Sequence, residues 1–131
     1  MSWREEMSEL MVVLVNGEAL FEYDRTRSIT EQQKQYLDRM DEKMDAGIQL
    51  GDETVVNPDQ KQRAQYVAFT LISAIQQDNE AIIAAMNSYL AERFPDLKQI
   101  KADVDSESRK VMFDLIFDQE HKNQVKVSFN A

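Results

Sequence analysis

A chain of 131 residues with 43% apolar and 30% charged side chains has the size and balance of one globular domain and leaves little room for a second core. Its 24 acids against 15 bases give a net charge of −9, which works against binding to phosphate backbones and so against a DNA or RNA partner. The absence of cysteine excludes disulfides, thiolate metal sites and cysteine nucleophiles.

We read residues 1–131 as a single domain with an acidic N-terminal half (1–57), a helical core (58–94) and a β meander (97–130). The one apolar run near the start, Leu10 to Val15, is too short for a signal core or a bilayer span and follows glutamates rather than lysines. A soluble, cytoplasmic protein without membrane contact is therefore expected. Charge is uneven along the chain: residues 31–59 hold eight acids and three bases, and eight of the nine excess negative charges fall before residue 60.

Ser2 and Glu5 have the form of a capping box. Trp3, Met7, Leu10, Met11 and Leu14 recur at helical spacing, so an amphipathic helix over 2–15, closed by Asn16-Gly17, is the preferred reading. The alternative is a hairpin, because Asn-Gly between Met11-Val12-Val13-Leu14-Val15 and Glu18-Ala19-Leu20-Phe21-Glu22-Tyr23 is also a tight-turn signal. Residues 18–28 read as extended or irregular. Thr30 with Gln33 makes a second capping box, and Tyr36, Leu37, Met40 and Met44 predict a helix over 31–46 ended by Gly47. Leu50 to Val56 reads as a loop. Asn57-Pro58 then predicts a helix start, with Asn57 as cap and Pro58 as the first helical residue.

Asp59 to Phe94 contains neither glycine nor proline and carries a broad apolar stripe. As one helix it would be about 54 Å long at 1.5 Å per residue. The polar stretch Gln76-Gln77-Asp78-Asn79 therefore predicts a break into helices 58–77 and 79–94, with Pro95 closing the second. Beyond it the period becomes two. Leu97, Ile100, Ala102 and Val104 partly alternate; Val111, Phe113, Leu115 and Phe117 do so fully, as do Val125, Val127 and Phe129. Met112 and Ile116 suggest that the middle strand is partly buried on both faces. The expected fold is α+β, with three to four helices packed on one face of a three-stranded antiparallel C-terminal sheet.

Few constellations could carry chemistry. Asp103, Asp105, Glu107 and Asp114 fit positions one, three, five and twelve of a calcium-loop template, but Ser108 stands where the template needs glycine and the flanks alternate like strands. A polar hairpin turn is the better reading. His121, in the turn 119–123, has no second histidine or cysteine beside it. The serines lack a nucleophile-elbow context, and three glycines form no phosphate loop. Arg25 and Arg27 could grip an anion, although pairing with nearby carboxylates is commoner.

The strongest cluster is Asp38, Asp41, Glu42 and Asp45, within about two turns of one helix. Glu42 and Asp45 sit near its C-terminus, where the helix dipole disfavours negative charge by about 0.3–1 kcal/mol each. A basic partner surface would relieve that cost. These four residues are therefore the expected partner-binding site of an interaction or regulatory protein, with no cofactor, no metal and no catalytic residue assigned. A divalent-metal-dependent enzyme or hydrolase built on the same carboxylates is the alternative, and a structural homo-oligomer is a third. Met7, Met11, Met40, Met44 and Met86 fall on apolar stripes and are read mainly as core filling. Ala64, Ala68, Leu71, Ile75, Ile82, Ala85 and Tyr89 offer small and apolar spacing for a homodimer face.

Overall fold

A computed structural model of the chain describes residues 10–26, 28–108 and 110–117, and the backbone of residues 125–130. The Ser2–Glu5 capping box with Trp3 and Met7, Arg27, and the turn 119–123 with His121 lie outside the described residues. The elements are β1 (Leu10–Val15), β2 (Glu18–Asp24), α1 (Glu31–Ala46), β3 (Ile48–Leu50), β4 (Glu53–Val55), α2 (Gln60–Gln76), α3 (Glu80–Arg93), β5 (Leu97–Val104), β6 (Lys110–Phe117) and β7 (Val125–Asn130). The class is α+β. Two compact units form, one from Met1–Arg27 with Leu90–Ala131 and one from Ser28–Tyr89, so the boundary falls inside α3.

The first unit holds a sheet of five strands in the order β2-β1-β5-β6-β7. Strands β5, β6 and β7 make the expected antiparallel meander. The sheet is nevertheless mixed and larger than the three strands expected, because β1 pairs with β5 in parallel and β2 pairs with β1 antiparallel. Residues 10–15 are thus strand and not helix, with Met11 and Val13 buried at period two. Pairing between β1 and β5 lies far outside any local window, and it overrides the apparent helical spacing. A parallel pair requires a long crossover, which residues 16–96 supply.

Asn16 and Gly17 turn the first hairpin with φ of 51° and 83°, the two positive values that a primed two-residue turn demands. Asn16 also fastens the turn to β5: its backbone N–H donates to the Ala102 carbonyl at 2.8 Å, and its Oδ1 accepts from the Val104 N–H at 2.9 Å. In β5 the register shifts between Leu97 and Gln99. One extra residue there lets Leu97 and Ile100 both reach the buried face, which explains why this strand alternates only partly. On β6, Val111, Phe113 and Leu115 are buried while Met112 is 52% exposed, so Met112 does not give the strand a second buried face. Arg25, just past β2, donates from Nε to the Ala91 carbonyl (3.3 Å) in the last turn of α3 and from Nη2 to those of Phe94 (3.1 Å) and Leu97, where the chain passes from α3 into β5.

In the second unit α1 begins at the Thr30–Gln33 capping box and ends at Gly47, as expected. The expected loop at 50–56 is instead mostly β-structure: β3 and β4 pair antiparallel, Ile48 with Val55 and Leu50 with Glu53. Strands of three residues are too short to display alternation. The start of α2 is displaced by two residues. Asp59, not Asn57, caps the helix in a full capping box with Gln62, while Asn57 takes φ +52° and donates its N–H to the Asp45 carbonyl. Between α2 and α3 the chain does break. Asp78 has φ +55°, the Asn79 N–H reaches back to the Ala74 carbonyl and the Asp78 N–H to that of Ile75, a helix stop of the Schellman type. Asn79 Oδ1 then accepts from the Ile82 N–H at the start of α3. Leu37, Val67, Ala68, Leu71 and Ile72 are among the buried side chains. Among the described residues no helix is long and apolar enough to cross a membrane.

Candidate functional site

The four carboxylates of α1 do not behave alike. Asp38, Glu42 and Asp45 are exposed, whereas Asp41 is half-buried. Asp41 Oδ1 accepts from the Tyr89 hydroxyl of α3 at 2.5 Å and from Arg63 Nη1 of α2 at 3.2 Å. Arg63 Nη1 also donates to the Asp41 carbonyl at 3.1 Å, its Nη2 to Asp45 Oδ1 and its Nε to the Pro58 carbonyl at 3.0 Å. One carboxylate therefore joins all three helices. Tyr89 is only 2% exposed, so its hydroxyl has little access to water as an alternative partner.

Arg63 keeps 17% of its side chain exposed. Its pKa is raised above the ordinary arginine value, first by the hydrogen bond to Asp45, with burial opposing and the charges of Asp45 and Asp41 assisting. The guanidinium is consequently ionised at any working pH. A planar fork suits two carboxylates one turn apart, and this fork supplies internally the cation that Asp45, in the last turn of α1, calls for. The dipole cost that pointed to a basic partner is therefore relieved at Asp45 by the chain itself. Arg63 also occupies the space in which a divalent ion would bridge Asp41 and Asp45. Among the described residues no three His or acidic side chains converge as metal ligands.

Over residues 38–45 of α1 the charges are segregated by face. Against the acids stand Arg39 and Lys43, one turn apart, which line a pocket of about 250 Å³ together with Met40, Met44 and Met86. Met44 and Met86 are buried, in keeping with core filling. Ala64, Ala68, Leu71 and Tyr89, four residues of the suggested dimer face, are buried within this single chain. Ile82 and Ala85 remain half-exposed and line an open groove of about 750 Å³ with Gln33 and Tyr36.

Elsewhere, residues 103–108 belong to the β5–β6 hairpin, the context expected of a polar turn. Asp105 Oδ1 accepts from the Glu107 N–H at 2.9 Å. That backbone bond, with further hydrogen bonds from Ser108, holds the Asp105 pKa below its usual 3.8. Arg25, read as an anion grip or a carboxylate partner, directs its hydrogen bonds to carbonyl oxygens at the end of α3.

Arg63 and Tyr89 are the residues whose part in the cluster was missed. Two signals pointed toward them: a tyrosine on an apolar stripe needs a hydroxyl partner, and acids near a helix C-terminus need a cation. Neither signal says that a single aspartate meets both. No family model matches the chain, and neither a curated protein nor a solved structure matches it.

Proposed function

We propose that the chain is a small cytoplasmic interaction or regulatory protein that docks on a basic partner surface through the acidic side of α1. The supporting observation is the placement of charge over residues 38–45 of that helix: Asp38, Glu42 and Asp45 are exposed on one side, with Lys34 a turn earlier occupied by Glu31, while Arg39 and Lys43 line the pocket on another. Arg63 already pairs with Asp45, so Asp38 and Glu42 are the acids on which this reading mainly rests. The unit Ser28–Tyr89 holds ten acids and five bases, so the surface around α1 is net negative. Such a surface gains mainly in encounter rate and selectivity, both of which fall as salt screens the contact. A carboxylate-based hydrolase is less well supported, since Asp41 and Asp45 already serve Arg63.

The test is affinity capture with the full chain and with a D38K/E42K variant at low and at high salt. Basic proteins retained by the wild type, released by salt and not retained by the variant are the expected result. An identical set of retained proteins for both chains, insensitive to salt, would refute the proposal.

A further inference from the structure

The pocket beside Arg39 and Lys43 has the makings of a ligand site that is independent of the acidic side. Its walls come from three helices, with Met40 and Met44 from α1, Tyr66 and Thr70 from α2, and Met86 from α3. Thr70 already donates its hydroxyl to the Tyr66 carbonyl at 2.8 Å, leaving a largely apolar, thioether-rich chamber. Met44 and Met86 are buried while Arg39 and Lys43 are exposed, so the cations stand at the rim.

Two like charges spaced i, i+4 on a helix repel each other. Arg39 and Lys43 nonetheless share one face of the most acidic stretch of the chain, and neither makes an ion pair among the described residues. An anion between them would turn that repulsion into attraction. Sulfur atoms favour aromatic rings as neighbours, and three methionines line this chamber. The volume of about 250 Å³ lies at the small end for ligand pockets, which run to about 300–1,000 Å³, and suits a body of on the order of ten non-hydrogen atoms.

From these features we infer that the pocket binds a small aromatic monocarboxylate, with the ring among Met40, Met44 and Met86 and the carboxylate between Arg39 and Lys43. Neutral aromatic molecules of the same shape forgo the charge-assisted hydrogen bonds and bind more weakly.

Titration of the full chain, labelled at methionine methyl groups, with phenylacetate tests this by NMR. Saturable shifts confined to the methyls of Met40, Met44 and Met86 are expected, with phenylacetamide binding at least about tenfold more weakly. The R39Q/K43Q variant should lose a similar factor while its free spectrum stays dispersed. Absence of saturable shifts at these methyls up to roughly 10 mM phenylacetate would overturn the site. Equal affinity for phenylacetamide would overturn its anionic character, and that comparison uses the unaltered protein, so it does not depend on the variant folding.

Discussion

Among the described residues each compact unit contains an arginine with several hydrogen bonds, Arg25 and Arg63, and the two are used in opposite ways. In the sheet unit Arg25 reaches backbone carbonyls at the end of α3, groups that carry no net charge. In the helical unit Arg63 spans two carboxylates and binds carbonyls only in addition. The first ties the last turn of α3, through the Ala91 carbonyl, to the start of β5 at Leu97. The second balances charge that would otherwise accumulate on one helix. The same side chain therefore serves as a backbone tie in one place and as charge compensation in the other.

The largest effect that would break this contrast falls on Asp41. Asp41→Ala removes the acceptor of a buried tyrosine hydroxyl and one of the two carboxylates facing Arg63, and should cost about 3 kcal/mol in urea unfolding. Tyr89→Phe, which removes the hydroxyl donor and leaves Asp41 to Arg63, should cost about 1 kcal/mol. The sharpest comparison is between Arg25→Met and Arg63→Met, each expected to cost about 2 kcal/mol at pH 7. Carbonyls carry no net charge, so the Arg25→Met deficit should change little with added salt. The Arg63→Met deficit should shrink as salt screens the ion pair to the exposed Asp45. Two deficits moving in parallel with salt would remove the distinction.

Smaller effects sharpen it. Asp78 holds a left-handed conformation at the helix stop, so Asp78→Gly should stabilise the helical unit by about 0.5–1 kcal/mol, read as a higher unfolding midpoint. In the sheet unit the Asp105 pKa is depressed on folding. A depressed acid adds stability above its unfolded pKa and loses it as pH falls through the folded one. The Asp105→Asn variant should thus show a slightly flatter loss of stability below pH 3.8 than the wild type.

What could be read from the chain and what could not divides along a physical line. Thr30-Gln33, Gly47, the polar break at Asp78 and the alternation of Val111, Phe113 and Leu115 are local signals, and each marks the element it announces. The α2 start was displaced because Asn57-Pro58 and Asp59-Gln62 both carry cap chemistry, and only the second satisfies the N3 amide. Residues 10–15 satisfy a helical and a strand pattern at once, and a distant partner strand decides between them. At the candidate site Asp38, Asp41, Glu42 and Asp45 were correctly grouped on one helix. The cation that meets Asp45 lies on another helix, eighteen residues away, beyond the range of any spacing rule.

The parallel pair of β1 with β5 sets an order of assembly. Val12 lies opposite Gln99, 87 positions later in the chain. At about 5–20 residues per second, the ribosome needs roughly 4 to 17 seconds to deliver the second strand after the first. Meanwhile every residue of Ser28–Tyr89 has already been synthesised. The helices can therefore form while the opening hairpin waits with one backbone edge unfilled, and completion of the sheet is the late, topologically slow event in the birth of this molecule.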